Sequence, residues 1–383
     1  MKILTVDIGT GTQDILLYDS RLGIENSFKL ILHSPTMITY RWIRTATRQK
    51  QGILLTGVTM GGGPSQWATE AHLRAGLPVY ATPEAARSFN DDLNLIGDMG
   101  VTLVSLDEAG KLTGQITHLE LRDFDFTAIA QVFTRFSVDL GDLAALGVAV
   151  FDHGNAPPGT SDRQFRFNYL DRRIREANRL SAFAYRAQEI PTSMTRMQAV
   201  AESCKSIDTP LVVMDTAPAA ILGALYDPQV RQRPRVMITN VGNFHTLATR
   251  LGPSGIEGLF EHHTGLIDQQ QLEKMVISLA DGSLQYSDVF DQHGHGALVY
   301  HHLPLPMHEP GFNVAVTGPR RNLLKTGAQL KPYYAVPFGD MMTTGCVGLL
   351  SAIAEVKPEL SEAIHASLRD TGNRNPAPWD VEV

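Results

Sequence analysis

The chain has 383 residues, of which 43% are hydrophobic, and a formal net charge of −7. This length is too great for one ordinary domain, so we expect two or three domains, each with enough apolar residues for its own core. The acidic balance argues against a nucleic-acid-binding protein, which would carry a basic stripe. Only two cysteines are present, Cys204 and Cys346, too few for a disulfide framework or for an iron–sulfur cluster held by cysteines.

The sequence also predicts where the protein resides. No segment approaches the roughly 18 consecutive apolar residues that a membrane span requires. The N-terminus enters an apolar strand at once, without the charged and hydrophobic regions of a signal peptide. We therefore expect a cytoplasmic protein that has neither a membrane nor a nucleic acid as its partner.

The predicted elements fall into two series along the chain. The first series holds three consecutive strands, a helix opened by proline, strand–helix alternation and a buried strand, at 2–8, 13–19, about 26–32, 35–50, 53–136 and 146–151. A largely helical stretch separates it from the second series, which holds a strand, a helix, a hairpin, a helix, a strand and a final helix, at 210–214, 217–226, 235–251, 267–280, 312–317 and 345–356. This order of elements indicates an α/β protein.

One pattern occurs twice, far apart in the chain. An apolar strand runs into an acid or its amide, one residue, a glycine and a polar turn, and a second strand follows. The first copy contains Asp7 and Gly9, and the second copy contains Asn240 and Gly242 in the corresponding positions. Two such hairpins that face each other across a cleft can hold a phosphate chain between them.

The residue types of the first turn suit that chemistry. Gly9 and Gly11 let the backbone pass close to a ligand, and Thr10 and Thr12 offer hydroxyl and N–H groups to phosphate oxygens. Asp7 ends the strand, where a carboxylate can hold Mg²⁺, an ion that takes one or two carboxylates together with substrate phosphates. An Asp-x-Gly turn taken alone is also ordinary hairpin chemistry, so the order of further motifs carries the argument.

Three further segments accompany the hairpins in a fixed order. A helix of small residues follows Asp215 and precedes the second hairpin. A strand ending in Thr317 then leads into the turn at Gly318, Pro319 and Arg320. Last comes another small-residue helix, which begins near Gly345.

With this ordered set the chain resembles the ATPase superfamily of actin, heat-shock chaperones and sugar kinases (ASKHA). The resemblance implies two ribonuclease-H-like lobes around a cleft for ATP and Mg²⁺, joined by connecting helices that act as a hinge. More narrowly, the chain is similar to a bacterial and archaeal family loosely labelled pyruvate formate-lyase activating-enzyme-like. That label implies radical chemistry at a cysteine triad, which two cysteines cannot supply, so we set the label aside.

The resemblance also implies a domain division and residue roles. Residues 1–208 would form the first lobe with inserted α/β segments, 209–344 the second lobe with a histidine-rich insertion, 345–371 the second connecting helix region, and 372–383 an extended tail. Asp7 would be the Mg²⁺ carboxylate. The β- and γ-phosphates would contact the residues of the two turns, and the adenine would border the third turn: Gly9, Thr10, Gly11, Thr12, Gly242, Asn243 and His245 for the phosphates, and Gly318, Pro319 and Arg320 for the adenine.

The chain departs from the superfamily pattern at Asn240, where an acid is common. An amide can position a water molecule but cannot take its proton, and general-base assistance is worth roughly 10²–10⁴ in rate. Either hydrolysis is slow or a base comes from elsewhere, for which Asp152 and Asp215 are the candidates because both lie at predicted strand ends. Pro319 replaces a second glycine of the adenine turn, which weakens the prediction of the purine pocket.

Histidines form a second signal. Seven of the 13 histidines fall between residues 262 and 308, namely His262, His263, His293, His295, His301, His302 and His308. The pair His293 and His295, with Asp291 and with His262 and His263, could hold a transition metal. The same residues could instead line a metal-free substrate pocket or serve only the structure.

Three functions follow as hypotheses. The leading one is an ATP- and Mg²⁺-dependent phosphotransferase or coupled ATPase that acts on a small molecule, because phosphoryl transfer needs mostly positioning and charge neutralisation. The second is a nucleotide-gated switch that acts on a protein partner, which slow turnover at Asn240 would suit. The third is a metal-dependent enzyme built on the histidines, with the hairpins as scaffold.

Overall fold

The computed structural model describes residues 1–307, 311–325, 330–369 and 376–381. His308 and parts of the predicted connecting region and tail, at 370–375 and 382–383, lie outside the described residues. Within the described part of the chain, no helix has both the length and the apolar character needed to cross a membrane.

The described residues form sixteen strands in chain order: β1 (Lys2–Ile8), β2 (Thr12–Asp19), β3 (Phe28–His33), β4 (Gly52–Gly57), β5 (Val79–Ala81), β6 (Thr102–Leu103), β7 (Ile116–Leu121), β8 (Leu143–Val150), β9 (Ala184–Arg186), β10 (Leu211–Asp215), β11 (Val236–Val241), β12 (His245–Gly252), β13 (Gly255–His263), β14 (Gly296–Val299), β15 (Val314–Thr317) and β16 (Pro332–Tyr334).

The same residues form fourteen α-helices: α1 (Pro35–Arg48), α2 (Pro64–Arg74), α3 (Pro83–Ala86), α4 (Leu93–Asp98), α5 (Leu106–Ala109), α6 (Phe126–Arg135), α7 (Asp162–Glu176), α8 (Thr195–Ser203), α9 (Thr216–Ala224), α10 (Pro228–Arg231), α11 (Gln269–Asp281), α12 (Tyr286–Phe290), α13 (Thr344–Val356) and α14 (Pro358–Arg369). Local sequence sets several starts. Ser34 caps α1, with Pro35 at its first position, and Asp215 caps α9.

Two six-stranded sheets share the same order and direction in five of their strands. The first has the order β3-β2-β1-β8-β10-β9 and the second the order β14-β13-β12-β11-β15-β16. In each sheet three consecutive antiparallel strands are followed by two strands parallel to the first of them, β8 and β10 in one sheet and β15 and β16 in the other. This is the ribonuclease-H-like arrangement, and the predicted fold of two actin-like ATPase lobes is confirmed.

A third, four-stranded sheet is inserted in the first lobe between β3 and β8. Its order is β6-β5-β4-β7, and all its strands are parallel. It has a hydrophobic core of its own, in which Ile53, Leu55, Val79 and Leu119 are buried. The insert therefore packs as a separate unit beside the cleft.

The predicted lobe boundary at 208/209 needs correction. Strand β10 lies after that boundary, yet it pairs with β8 and β9 in the first sheet. Its apolar residues are buried on both sides in that sheet, so the first lobe extends to Asp215 and the second sheet begins at β11. Helix α13 returns to the first lobe, where Val347 and Leu350 pack with Ala145 and Met214 in one core.

Helices α9 and α13 cross at unusually close range. A side chain at Gly223 would overlap the carbonyl of Thr344, and one at Gly348 would overlap the carbonyl of Ala219. The absence of Cβ atoms thus lets the two connecting helices touch through their backbones.

Candidate functional site: a cleft between two matched hairpins

The turns of the β1–β2 and β11–β12 hairpins have the same internal hydrogen bond. Gly9 N–H donates to the Thr12 carbonyl over 2.9 Å, and Gly242 N–H donates to the His245 carbonyl over 3.0 Å. The sequence correspondence between the two hairpins therefore extends to backbone geometry. At Gly242 a Cβ atom would lie 2.7 Å from the His245 carbonyl oxygen, so the second turn requires glycine there.

Both turns open onto one cavity between the lobes, with a volume of about 110 Å³. Most of the residues predicted to contact nucleotide or metal line it, namely Asp7, Gly9, Thr10, Thr12, Asn240, Gly242, Asn243, His245, Gly318 and Pro319. Gly11 and Arg320 are not part of this lining. Arg320 is exposed at the surface, and its N–H donates to the Val241 carbonyl over 3.0 Å.

Gly11 instead makes direct contact with the opposite turn. A Cβ atom at Gly11 would overlap the side-chain amide of Asn243 and would lie 3.9 Å from the Asn243 Cβ. The two turns therefore touch across the cleft, which is closed in this structure.

Asp7 has an acidic neighbour that sequence reasoning did not single out. Asp14 lies directly opposite Asp7 in the β1–β2 ladder, and it lines the same cavity. The Thr216 hydroxyl donates to one oxygen of Asp7, whereas Asp14 Oδ1 is buried with no hydrogen-bond partner.

The two carboxyl groups are strongly perturbed. Burial raises the pKa of Asp7 to about 6, with a smaller contribution from the charge of Asp215. Burial and then the charge of Asp7 raise the pKa of Asp14 to about 8. Desolvation and like-charge repulsion both disfavour the ionised forms of these two carboxyl groups.

The two predicted general bases are held by other groups. Both oxygens of Asp152 accept backbone N–H bonds, from Gly154 over 2.8 Å and from Met197 over 2.9 Å. Asp215 accepts a bond from Arg166 over 2.6 Å and caps α9 through the Ala217 N–H over 3.0 Å. These contacts fix the positions of both carboxylates in the fold, and their role as general bases stays a prediction.

A second cavity of about 220 Å³ adjoins the cleft. The two cavities share Thr10, Phe151, Arg196, Phe244 and His245 as walls. The far wall comes from the inserted sheet unit and the loop after β8, and includes Gly61, Gly62, Gly63, Arg87, Asp91, Asp152 and His153. Basic and acidic side chains thus line a space directly beside the two turns.

Three acids line this cavity, Asp91, Asp152 and Asp162, and the pKa of Asp91 is raised toward neutrality. Burial, followed by the charges of Asp152 and Asp162, raises its pKa to about 6, against the opposing effect of Arg87. A pKa near neutrality suits a group that exchanges protons with a bound molecule.

The structure brings together only two residues of the predicted metal or substrate group. His263 and His295 lie side by side with ring centroids 4.7 Å apart. Each ring nitrogen of His262 faces a backbone carbonyl oxygen, at 3.0 and 2.9 Å. Asp291 and His293 are exposed on a turn and are not part of the cluster.

Two histidines from elsewhere join His263 and His295. His153 comes from the loop after β8 and His245 from the start of β12, and their ring centroids each lie 5.1 Å from that of His295. Burial, followed by the charge of His295, holds the pKa values of His153 and His245 well below the usual range. Their separation in sequence hid this grouping, since no local pattern links the loop after β8 with the start of β12.

The fold and cleft define a two-lobed protein of the actin-like ATPase fold. The chain belongs to the family described as "Putative pyruvate format-lyase activating enzyme (DUF1786)", whose model matches residues 60–323. Its two cysteines, Cys204 and Cys346, are both buried and cannot supply the cysteine triad that an iron–sulfur activating enzyme requires. No curated protein matches the chain in sequence.

Three solved structures show similarity at low identity. An exopolyphosphatase-like protein is 9% identical, with 72% of this chain and 54% of that one covered and a TM-score of 0.24. The ethanolamine utilization protein EutJ from Carboxydothermus hydrogenoformans is 10% identical, with 91% and 89% covered and a TM-score of 0.30. A ROK family transcriptional regulator, a homolog of the E. coli MLC protein, is 7% identical, with 67% and 37% covered and a TM-score of 0.22. This chain thus spans about half of the exopolyphosphatase-like protein.

Proposed function

We propose that the chain binds a nucleoside triphosphate with Mg²⁺ in the cleft and acts as an ATPase or phosphotransferase on a small molecule in the adjoining cavity. The observation that carries the proposal is the pair of identically bonded turns, at Gly9 and at Gly242, which meet at one cavity. Backbone N–H groups and hydroxyl groups on both sides of a phosphate chain suit phosphoryl transfer, which depends mostly on positioning and charge neutralisation.

Asp7 and Asp14 fit the role of Mg²⁺ carboxylates. The buried, unpartnered oxygen of Asp14 is an acceptor without a donor, and the two opposed carboxylates offer the one or two protein ligands that Mg²⁺ commonly takes beside phosphate oxygens. When bound, the cation would neutralise charge on the phosphates. The helix start at Gly345 lies so close to Asp7 that any side chain there would displace the carboxylate.

The adenine would lie at the far end of the cleft. Gly318, at φ +95°, brings the third turn against Asn240 and Val241 without a side chain. Pro319, Met341 and Met342 line the same end of the cavity and present apolar surface for a base.

Binding requires the cleft to open. Ligand pockets usually measure about 300–1,000 Å³, whereas this cavity measures about 110 Å³. The contact between Gly11 and Asn243 is the point at which the lobes must part, and we propose that they move about the crossing of α9 and α13.

Asp91 is the group we propose for proton exchange with the small molecule. Asn240 cannot take a proton, and the oxygens of Asp152 and Asp215 are occupied by structural contacts. Asp91 faces the second cavity and has a pKa near neutrality, which suits a general base for an acceptor hydroxyl.

Calorimetric titration of the full chain with ATP and Mg²⁺ tests the proposal. We expect saturable binding that requires Mg²⁺ and that Asp7→Ala abolishes, while Asp19→Asn, at the far end of β2, leaves it unchanged. Hydrolysis that rises with a small molecule would identify a phosphotransferase or coupled ATPase, and a rise only with an added protein would favour a switch. No binding by the wild type would overturn the proposal.

A further inference from the structure

Three histidines converge where the cleft meets the second cavity. His153, His245 and His295 each place one ring nitrogen within 4.8 Å of a ring nitrogen of the other two. They come from three separate segments, the loop after β8, the start of β12 and the residue before β14. Both lobes therefore contribute to the cluster.

The spacing suits a single metal ion. The Nε2 atoms of His153 and His295 are 3.4 Å apart. Zinc–nitrogen bonds of about 2.0–2.1 Å in a tetrahedron place two ligand nitrogens about 3.3 Å apart. The His245 nitrogen lies within 4.8 Å of the other two, and His245 Nε2 is buried with no hydrogen-bond partner.

The surroundings orient the rings as they do in metal sites. Glu261 accepts a short hydrogen bond from Nδ1 of His295, which leaves Nε2 of that ring free for the cluster. Arg166 holds Glu261 through two bonds of 2.7 Å, and all three side chains are buried. A carboxylate behind a ligating histidine fixes its tautomer and raises its basicity.

The His245 ring is positioned by stacking on an aromatic side chain. It stacks on Phe151 with centroids 3.9 Å apart and planes at 5°, and the Arg166 guanidinium lies 3.8 Å from the centre of the same Phe151 ring. The stack of Arg166, Phe151 and His245 sets the orientation of the imidazole. One arginine thus supports two of the three histidines.

We propose that His153, His245 and His295 bind one divalent transition-metal ion of the zinc type, with an open coordination position toward the second cavity. His153 and His245 line that cavity, and three protein ligands with an exchangeable fourth position are the arrangement of catalytic zinc sites. The position would take an anionic or oxygen-donor group of a small molecule. His245 also lines the nucleotide cleft, whereas His153 and His295 do not line it, so zinc binding is tested in the absence of nucleotide.

Zinc titration of the chelator-treated full chain, without nucleotide, tests the site. We expect one tightly bound zinc ion per chain. His153→Gln and His295→Gln should each weaken binding at least tenfold, and Glu261→Gln should weaken it about 10–100-fold. His118→Gln is the control, because this exposed histidine bonds to Thr56 in the inserted sheet unit and lies outside the cluster.

A second measurement guards against variants that fail to fold. Cobalt added to the chelated wild type should produce the visible absorption of a four-coordinate nitrogen site, and zinc should displace it. Circular dichroism with the chelator present should show wild-type structure for His153→Gln, which changes a loop residue. Zinc affinity in a folded His153→Gln equal to that of wild type, or no stoichiometric zinc on the wild type, would overturn the proposal.

Discussion

Asp7 and Asp14 lie directly opposite each other on the two strands of the first hairpin, and both carboxyl groups are buried. Directly opposed residues share one face of an antiparallel ladder, and like charges in that position are destabilising. We therefore expect the pair to destabilise the empty protein and to be stabilised by the Mg²⁺ ion that we propose binds there.

The variant Asp14→Asn distinguishes the cost of the buried carboxyl pair in the empty protein from its contribution to cation binding. We expect Mg²⁺-dependent ATP affinity to fall at least roughly tenfold, or about 1.4 kcal/mol, because one of two carboxylates is lost. Burial penalises the ionised carboxylate, so the melting temperature of the nucleotide-free protein at pH 8 should rise or stay level. Calorimetry measures the ATP affinity and thermal melting measures the stability, each with Asp19→Asn as the control. Lower stability together with unchanged ATP affinity would contradict the assignment of Asp14 as a Mg²⁺ carboxylate.

A disulfide across the cleft tests whether opening is required. The Cβ positions of Gly11 and Asn243 are 3.9 Å apart, within the range of about 3.5–4.5 Å that disulfides need. The oxidised double variant Gly11→Cys, Asn243→Cys should not bind ATP, and a reductant should restore binding. Gly11→Cys alone is the control, and the native cysteines are buried. Equal ATP affinity in the oxidised and reduced states would show that the cleft need not open.

The close crossing of α9 and α13 predicts that Gly→Ala at the crossing destabilises the protein, which is the reverse of its usual effect in a helix. Gly→Ala at an open helical position usually stabilises a protein by about 0.5–1 kcal/mol. At Gly223 and Gly348 the added methyl group meets a backbone carbonyl, so each change should cost about 1–3 kcal/mol. Gly97→Ala in α4, where nothing lies near the added carbon, should be neutral or stabilising. Urea unfolding measures all three, and similar values for the three would contradict the close crossing.

The raised pKa of Asp91 predicts that the free energy of unfolding depends on pH. The folded pKa is raised to about 6 from an unfolded value of 3.8, so the folded state binds the proton more tightly. The contribution is fully present below pH 4 and is lost as the pH rises through 6. Relative to Asp91→Asn, the wild type should therefore lose free energy of unfolding between these two pH values. Parallel curves for the two proteins would contradict the raised pKa.

The sequence predicted the fold from its two matched hairpins because the apolar strand, the acid or amide and the glycine turn are local patterns. The ribonuclease-H-like order of strands in both lobes was implied by the family resemblance that the ordered set of motifs carries. The position of β10 did not follow, since a short buried strand has no local mark of the sheet it joins. Its spacing before the second hairpin favoured the wrong lobe.

Part of the candidate site could be predicted from the sequence for the same reason. Asp7 was visible because it ends a strand before a glycine turn, whereas Asp14 is exceptional only when the register places it opposite Asp7. The three converging histidines lie 92 and 50 residues apart along the chain, and no local pattern joins them. The dense histidine segment between 262 and 308 contains only His295 of these three, and it includes His262 and His293, whose places in the fold keep them apart from the cluster.

A crystal structure with a non-hydrolysable ATP analogue and Mg²⁺ tests the central claim most directly. We expect the triphosphate between residues 7–12 and 240–246, with Mg²⁺ beside Asp7 and Asp14 and the contact of Gly11 with Asn243 broken. A saturated crystal in which the analogue lies outside this cleft, or in which the two turns still touch, would contradict the account.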